Sequence, residues 1–376
     1  MSKTLKDCLL LAFITLSITL LIWLPHILAL PNFWGLSFKE GFSTIYRNFD
    51  GLEYVVIAKT FYNPSSIAGI PNSLNPNYYA AHFPGYAVLI LLFAPILGYL
   101  KSMLFVSLLF TFLSTIVFYF LIKDFKLTYK PFFLSVLFLI LPARWVIVHS
   151  VGSAEPMFIF FILSSIYFFL KFELQKKYSL LLLSALFGIL AQITRPPGIL
   201  LAAALGLYVL WTGYKKRSIA HILSYLPLLF IPLTLIGIFY LYSLTYGDFW
   251  AYFHSGDNIH LAFPPFQVFN KDQFWVGEGW LEDIVYIFML GFLGGILLIK
   301  QKILPLGFFV LVYLAASTLV AHRDISRYTL PIFPFLLIAF EKVLVSKEFR
   351  IVLPIILLAI YLYSQNFILT NTAPTF

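Results

Sequence analysis

Only one cysteine, Cys8, occurs in the 376 residues, so neither an internal disulfide framework nor a multi-cysteine metal site can form. Charge is scarce too: Asp, Glu, Lys and Arg make up 11% of the chain, against about 25% in a soluble globular protein. Long stretches of alternating apolar and polar residues are missing, and runs such as 157–170 are apolar at nearly every position, which excludes a transmembrane β-barrel. There is no internal repeat, so the inverted-repeat signature of many transporters is absent, and there is no low-complexity tract. What remains is apolar by 61%, the composition of an integral membrane protein.

A spanning helix needs about 20 mainly apolar residues. On that measure spans are expected near 8–30, 102–122, 131–149, 157–170, 178–194, 197–213, 222–244, 284–299, 304–321, 329–344 and 351–369, which makes an all-α polytopic protein of about eleven transmembrane helices. The run 157–170 is expected to form a short helix. The first run follows Lys3 and Lys6, exceeds the 7 to 15 residues of a signal-peptide core and lacks a small-x-small cleavage site, so it reads as an uncleaved helix. The whole chain, 1–376, reads as one integral membrane domain.

The run 83–100 decides the topology. If it lies in the interface or re-enters, 16 of the 25 basic residues fall on the inner side, where the acids leave a net +11. If it crosses, the basic residues divide 8 inside and 17 outside, against the positive-inside bias. The non-crossing reading makes 31–101 a first external loop with interfacial or re-entrant helices. It also explains the net charge of +9: the cations lie in clusters between spans and orient the chain, so no nucleic-acid partner is expected.

The outer face then gathers Asp50, Glu53, His82, His149, Glu155, Arg195, His322, Arg323, Asp324 and Arg327. Ionisable groups near a membrane edge are costly and usually face a wet cavity. Each also has an ordinary role open to it. Asp50 can cap a helix beginning at Gly51, with Glu53 completing a capping box. His82 can sit among headgroups, and Glu155 can cap the helix that starts at Pro156. Arg195, at a double-proline break, can snorkel to lipid phosphate. Arg323 and Arg327 run against positive-inside logic, which favours a bound anion. The external loop 245–282 holds eleven aromatics, among them Trp250, Phe253, Phe263, Trp275 and Trp280, suited to interfacial anchoring or to packing on sugar faces.

Several short blocks carry a family resemblance. Phe49-Asp50-Gly51-Leu52-Glu53-Tyr54-Val55-Val56-Ile57-Ala58, followed by Tyr62, is similar to an aromatic-Asp-x-x-x-aromatic-x-x-Ile-Ala block. Ala81-His82-Phe83-Pro84-Gly85-Tyr86 is similar to Ala-Phe-Phe-Pro-Leu-Tyr, with His82 replacing an aromatic. Ser153-Ala154-Glu155-Pro156-Met157-Phe158 resembles Ser/Thr-Glu-x-x-Phe with one extra residue, and Thr194-Arg195-Pro196-Pro197-Gly198 resembles Arg-Ser-Asn-Gly. Arg327-Tyr328 completes the order. Together they resemble the GT-C superfamily of polytopic glycosyltransferases, in particular the PIG-V-type mannosyltransferases of GPI-anchor assembly.

The resemblance implies interfacial helices in the first external loop, a polyprenyl-phosphate sugar donor, an active site on the external or lumenal face, and a first-loop acid as base. It points to Asp50, Glu53 and Glu155 as catalytic, with His82, Tyr54 and His322 orienting the acceptor or Asp50. Arg195, Arg323, Arg327 and Tyr328 would bind the donor phosphate. The acceptor would be a lipid-linked or cell-surface glycan among membrane lipids, in the plasma membrane of a prokaryote or the endoplasmic reticulum of a eukaryote. No cofactor is required. A divalent metal between Asp50, Glu155 and His82 is a further option, since hard carboxylates suit Mg or Mn. The competing functions are a lipid or solute transporter or flippase using the same groups as a port, for which charges at the bilayer midplane would speak, and a structural subunit of a larger assembly, which would have no activity when purified alone.

Overall fold

The computed structural model describes residues 2–256, 260–278 and 281–372. All regular structure among them is helical, and extended pairing is limited to isolated bridges. Trp280 lies outside the described residues.

The protein is a multi-pass membrane protein. Among the described residues seven helices are long and apolar enough to span: Lys3–Ile27, Tyr99–Asp124, Glu155–Gln175, Pro196–Lys216, Leu226–Tyr246, Glu282–Lys300 and Lys347–Thr370. A bent pair, Pro131–Ile140 with Ala143–Ser150, makes an eighth if counted as one span. The runs expected at 178–194, 304–321 and 329–344 appear as the shorter apolar helices Tyr178–Thr194, Leu304–Ser317 and Ile325–Ala339.

Two of the expected spans change form. The run 131–149 is not one straight helix, because its two halves meet at 74°. Pro142 has no N–H to give and pushes the residue before it out of the helical region. Leu141 accordingly takes φ −122° and ψ 138°. The run 157–170 is not short. Its helix is 21 residues long, because Lys171 and Glu173 continue it instead of ending it. The run 83–100 gives the 14-residue helix Pro84–Leu97, roughly 21 Å long at 1.5 Å per residue and so shorter than the hydrocarbon core. Gly98, at φ 77°, then turns the chain into Tyr99–Asp124, and the two helices pack together.

The chain forms two compact units. The first comprises 1–160, 238–256 and 341–376. Its opening helix is capped by Ser2 and packs on Tyr99–Asp124 and Pro131–Ile140. Leu9, Phe13, Leu20, Leu21 and Leu24 remain exposed along that helix, as expected of a surface solvated by acyl chains. A polar link joins its end to the last helix: Gln365 donates to the Ile22 carbonyl at 2.9 Å, and its Oε1 lies 3.1 Å from Nε2 of buried His26.

The second unit comprises 161–237 and 257–340. Glu282–Lys300 packs on Leu304–Ser317 and on Phe333–Ala339, and Ile199–Lys216 packs on Leu304–Ser317. At one end Glu173 accepts hydrogen bonds from Tyr208, at 3.1 Å, and from Tyr225, with the Lys176 ammonium 3.3 Å away. The carboxylate thus ties Glu155–Gln175 to Ile199–Lys216 beside a basic surface.

The His26–Gln365 link should be measurable. Gln365→Leu keeps the volume and removes both bonds, so thermal unfolding in detergent should show a loss of about 1 kcal/mol, the scale of interhelical hydrogen bonds in membrane proteins. An unchanged unfolding temperature would mean that apolar packing alone holds the last helix.

Candidate functional site

The acids chosen from the sequence fall in the first unit and the arginines in the second. In the first, Asn48 donates to the Thr44 carbonyl at 2.8 Å and to the Ile368 carbonyl at 3.0 Å, fixing the chain just before the acid. Phe49 follows at φ 48°, a left-handed conformation that is rare for an aromatic residue and that clusters at functional sites. Asp50 then stands at the N-cap position of Gly51–Thr60, but its side chain makes no capping bond. The capping role is therefore corrected, and with it the reciprocal capping box. The local sequence permits a cap, but the carboxylate is drawn to a distant partner: Oδ2 lies 3.9 Å from His82 Nε2, with Asp50 31% exposed and His82 6% exposed.

His82 is held from several sides. Its carbonyl accepts a 2.6 Å bond from Tyr62, and its ring meets Tyr54 edge-on at 5.2 Å and Tyr78 at 5.4 Å. Headgroup immersion does not describe a ring this enclosed. Tyr54 in turn meets Tyr86 edge-on at 5.1 Å. The Tyr86 hydroxyl donates to the Met103 carbonyl at 2.7 Å, lies 2.7 Å from Ser107 Oγ and accepts from Ser153 N–H at 3.1 Å. Ser153 Oγ donates to Glu155. A continuous path of rings and hydroxyls therefore runs from His82 to Glu155, which is buried.

Glu53 points elsewhere. It is buried on Gly51–Thr60 and shares a hydrogen bond with Tyr79, whose hydroxyl burial and the Glu53 charge push up to about 12. Tyr79 therefore stays protonated and donates to Glu53 at physiological pH. Tyr62, which closes the first block, carries this architecture together with Tyr79 and Ser107, but nothing in the local sequence of the last two marks them, because each works through a residue far along the chain.

In the second unit, Arg195 ends Tyr178–Thr194 in extended conformation and is half-buried. The other cations form a separate group. The segment from His260 runs antiparallel to 318–321, with Ala321 N–H donating to the His260 carbonyl at 3.0 Å. This stacks the His260 and His322 rings at 5.6 Å and 6°. His322 Nδ1 accepts from Asp324 N–H at 3.0 Å, and its ring lies 5.1 Å from Tyr328 and 6.4 Å from Trp275. Arg327 is buried at 7% exposure, while Arg323 is exposed with its guanidinium 5.7 Å from the Phe274 ring.

The aromatic loop divides likewise. In the first unit, Phe239 gathers Phe249, Trp250, Tyr252 and Phe253, and the His254 imidazole holds the Asp248 carboxyl below its ordinary range from 2.6 Å. Trp250, Phe253 and, in the second unit, Phe263 are exposed. Among the described residues no three His, Cys, Asp or Glu side chains converge as metal ligands, so the option of a metal between Asp50, Glu155 and His82 finds no support in the geometry.

What brings the Asp50 and Glu155 segments together is backbone contact. A Cβ on Gly51 would meet the Gly152 carbonyl oxygen and Met103 Sδ, each at 2.8 Å, and a Cβ on Gly152 would meet Met103 Sδ at 2.4 Å. Gly→Ala near a helix start ordinarily stabilises by up to about 1 kcal/mol. Here the sign should reverse: Gly51→Ala should cost about 1–3 kcal/mol in thermal unfolding, because a backbone carbonyl cannot move aside as a side chain can. Stabilisation by Gly51→Ala would show the contact to be loose.

Compared with known proteins, the chain matches no family model and no curated protein.

Proposed function

We propose that the protein is a membrane glycosyltransferase that moves a sugar from a polyprenyl-phosphate donor to a lipid-linked or cell-surface acceptor on the external or lumenal face, with inversion. The observation that carries this reading is the Asp50 carboxylate: part-exposed, not spent on capping, and 3.9 Å from an enclosed imidazole. The order of short blocks resembling PIG-V-type mannosyltransferases makes mannose the first sugar to test. The reading keeps eleven spans, counting the bent pair and the three shorter helices with the seven long ones.

The chemistry asks little more of the protein. As the acceptor hydroxyl attacks the anomeric carbon, a carbon–oxygen bond forms there and the bond to the donor phosphate breaks. Asp50 takes the hydroxyl proton, and His82 fixes the carboxylate's direction. The departing polyprenyl phosphate is a weak base that needs cations instead of a proton. Arg327, Arg195 and Arg323 are the sequence's candidates for that role. Glu155 holds the Ser153 connection in place, and Glu53 does the same for Tyr79.

Asp50→Asn should keep the shape and lower turnover on the order of 100-fold or more, measured on membranes supplied with a panel of radiolabelled polyprenyl-phosphate sugars. Wild-type turnover in that variant sinks the assignment of the base.

A planar guanidinium can grip phosphate bidentately and an ammonium cannot. Activity at Arg327 should therefore fall in the order wild type, Arg327→Lys, Arg327→Ala, with the alanine change chiefly raising the donor KM. The same series at Arg323 should be nearly flat, because its guanidinium rests on an exposed ring. Normal donor use by alanine variants at all three arginines would remove these cations from the phosphate site.

A further inference from the structure

The second unit carries an unbalanced charge at the end marked by Glu173. Glu173 is the only Asp or Glu in 161–237, and the two turns at this end hold Lys176, Lys177, Lys215, Lys216 and Arg217. Its carboxylate is already engaged by Tyr208, Tyr225 and Lys176. One short helix brings the turns together. Arg217, at φ 50°, ends Ile199–Lys216 and turns the chain into Ile219–Leu223, which packs back so closely that a Cβ on Gly213 would meet Ile222 Cγ1 at 2.5 Å. On that helix His221 Nε2 lies 3.0 Å from Thr212 Oγ1, and the ring meets Tyr225 at 5.1 Å. Burial and the Lys216 charge hold the His221 imidazole below its ordinary range, with Glu173 opposing and Lys176 reinforcing them, so cations from both turns act at one point. Leu174, Tyr214, Ile219 and Leu223, from the same turns, are exposed.

We propose that this end of the second unit binds an anionic phospholipid, with the headgroup phosphate between the 176–177 and 215–217 turns and the acyl chains beside the exposed apolar side chains. No residue of this site belongs to the glycosyltransferase reading. Helix C-termini attract cations, but each carries only roughly half a negative charge. The ends of Glu155–Gln175 and Ile199–Lys216 together with Glu173 therefore offset about two of the five cations, which leaves about three for an anion. Orientation of the chain asks only for positive charge on one side, not for cations held in a fixed arrangement. Here Glu173 fixes Lys176, and the fold-back of Ile219–Leu223 fixes the turn at Lys216 and Arg217. Cations standing among exposed leucine, isoleucine and tyrosine are matched by a phospholipid at both ends, its phosphate by the charges and its chains by the apolar groups.

The test titrates the full-length protein in neutral detergent with phosphatidylglycerol or phosphatidylcholine and reads the unfolding temperature, which a ligand of the folded state raises. Phosphatidylglycerol should raise it saturably and at lower concentration than phosphatidylcholine. The double variant Lys216→Gln/Arg217→Gln should need about 10-fold more phosphatidylglycerol or beyond for the same rise, the scale of two cations lost near a phosphate, with its phosphatidylcholine response unchanged. Lys300→Gln/Lys302→Gln removes the same charge from another turn of the second unit and should respond as wild type. If the first double variant does not fold, Lys176→Gln takes its place with the same direction expected. Three results overturn the site: no preference for phosphatidylglycerol in the wild type, an equal loss in the Lys300/Lys302 variant, which marks a diffuse surface potential, or an undiminished response in the folded Lys216/Arg217 or Lys176 variant. Equal stabilisation by inorganic phosphate overturns the lipid as its occupant.

Discussion

The approach of Gly51 to Gly152 over Met103 is the constraint on which the acid cluster depends. One glycine follows Asp50 and the other lies just before Ser153 and Glu155, so a contact with no room for a Cβ sets where both acids can be. Tyr86 then fills the space alongside, with its hydroxyl bound to Met103, Ser107 and Ser153 and its ring against Tyr54. Little of this is apolar burial in the ordinary sense. In a bilayer the surrounding acyl chains are as apolar as leucine, so close backbone approach and satisfied hydroxyls supply the specificity that hydrophobic burial supplies in water.

The last helix plays the complementary part. Lys347–Thr370 reaches His26 through Gln365, Asn48 through the Ile368 carbonyl and both Phe49 and Arg144 through Phe367. A segment far from Asp50 in sequence therefore holds the chain on which Asp50 sits. The strained φ at Phe49 is affordable because hydrogen bonds and ring contacts fix it from both sides.

The acids and the arginines differ in how they are held. Glu53 and Glu155 are buried and bound to hydroxyls, which hold their carboxyl groups in place. Asp50 keeps an exposed edge and faces a histidine, which is the environment a proton acceptor needs. Among the arginines, Arg327 is buried and Arg323 exposed, although the two lie in one short turn. Proximity in sequence says little about which charge a membrane protein takes out of water.

The sequence by itself determined the all-helical, multi-pass character and the approximate position of the long helices, because a run of about 20 apolar residues has no other stable form in a bilayer. It also singled out Asp50, His82 and Glu155 as polar groups in costly places. The tertiary structure alone decided what each of them touches. Capping is a local option at Asp50, but a side chain's direction follows the groups that surround it, and His82 and Tyr54 come from separate turns of the chain. The bend at Pro142 was written in the sequence as a proline, yet its consequence, Arg144 laid on Phe367, required the last helix to be in place.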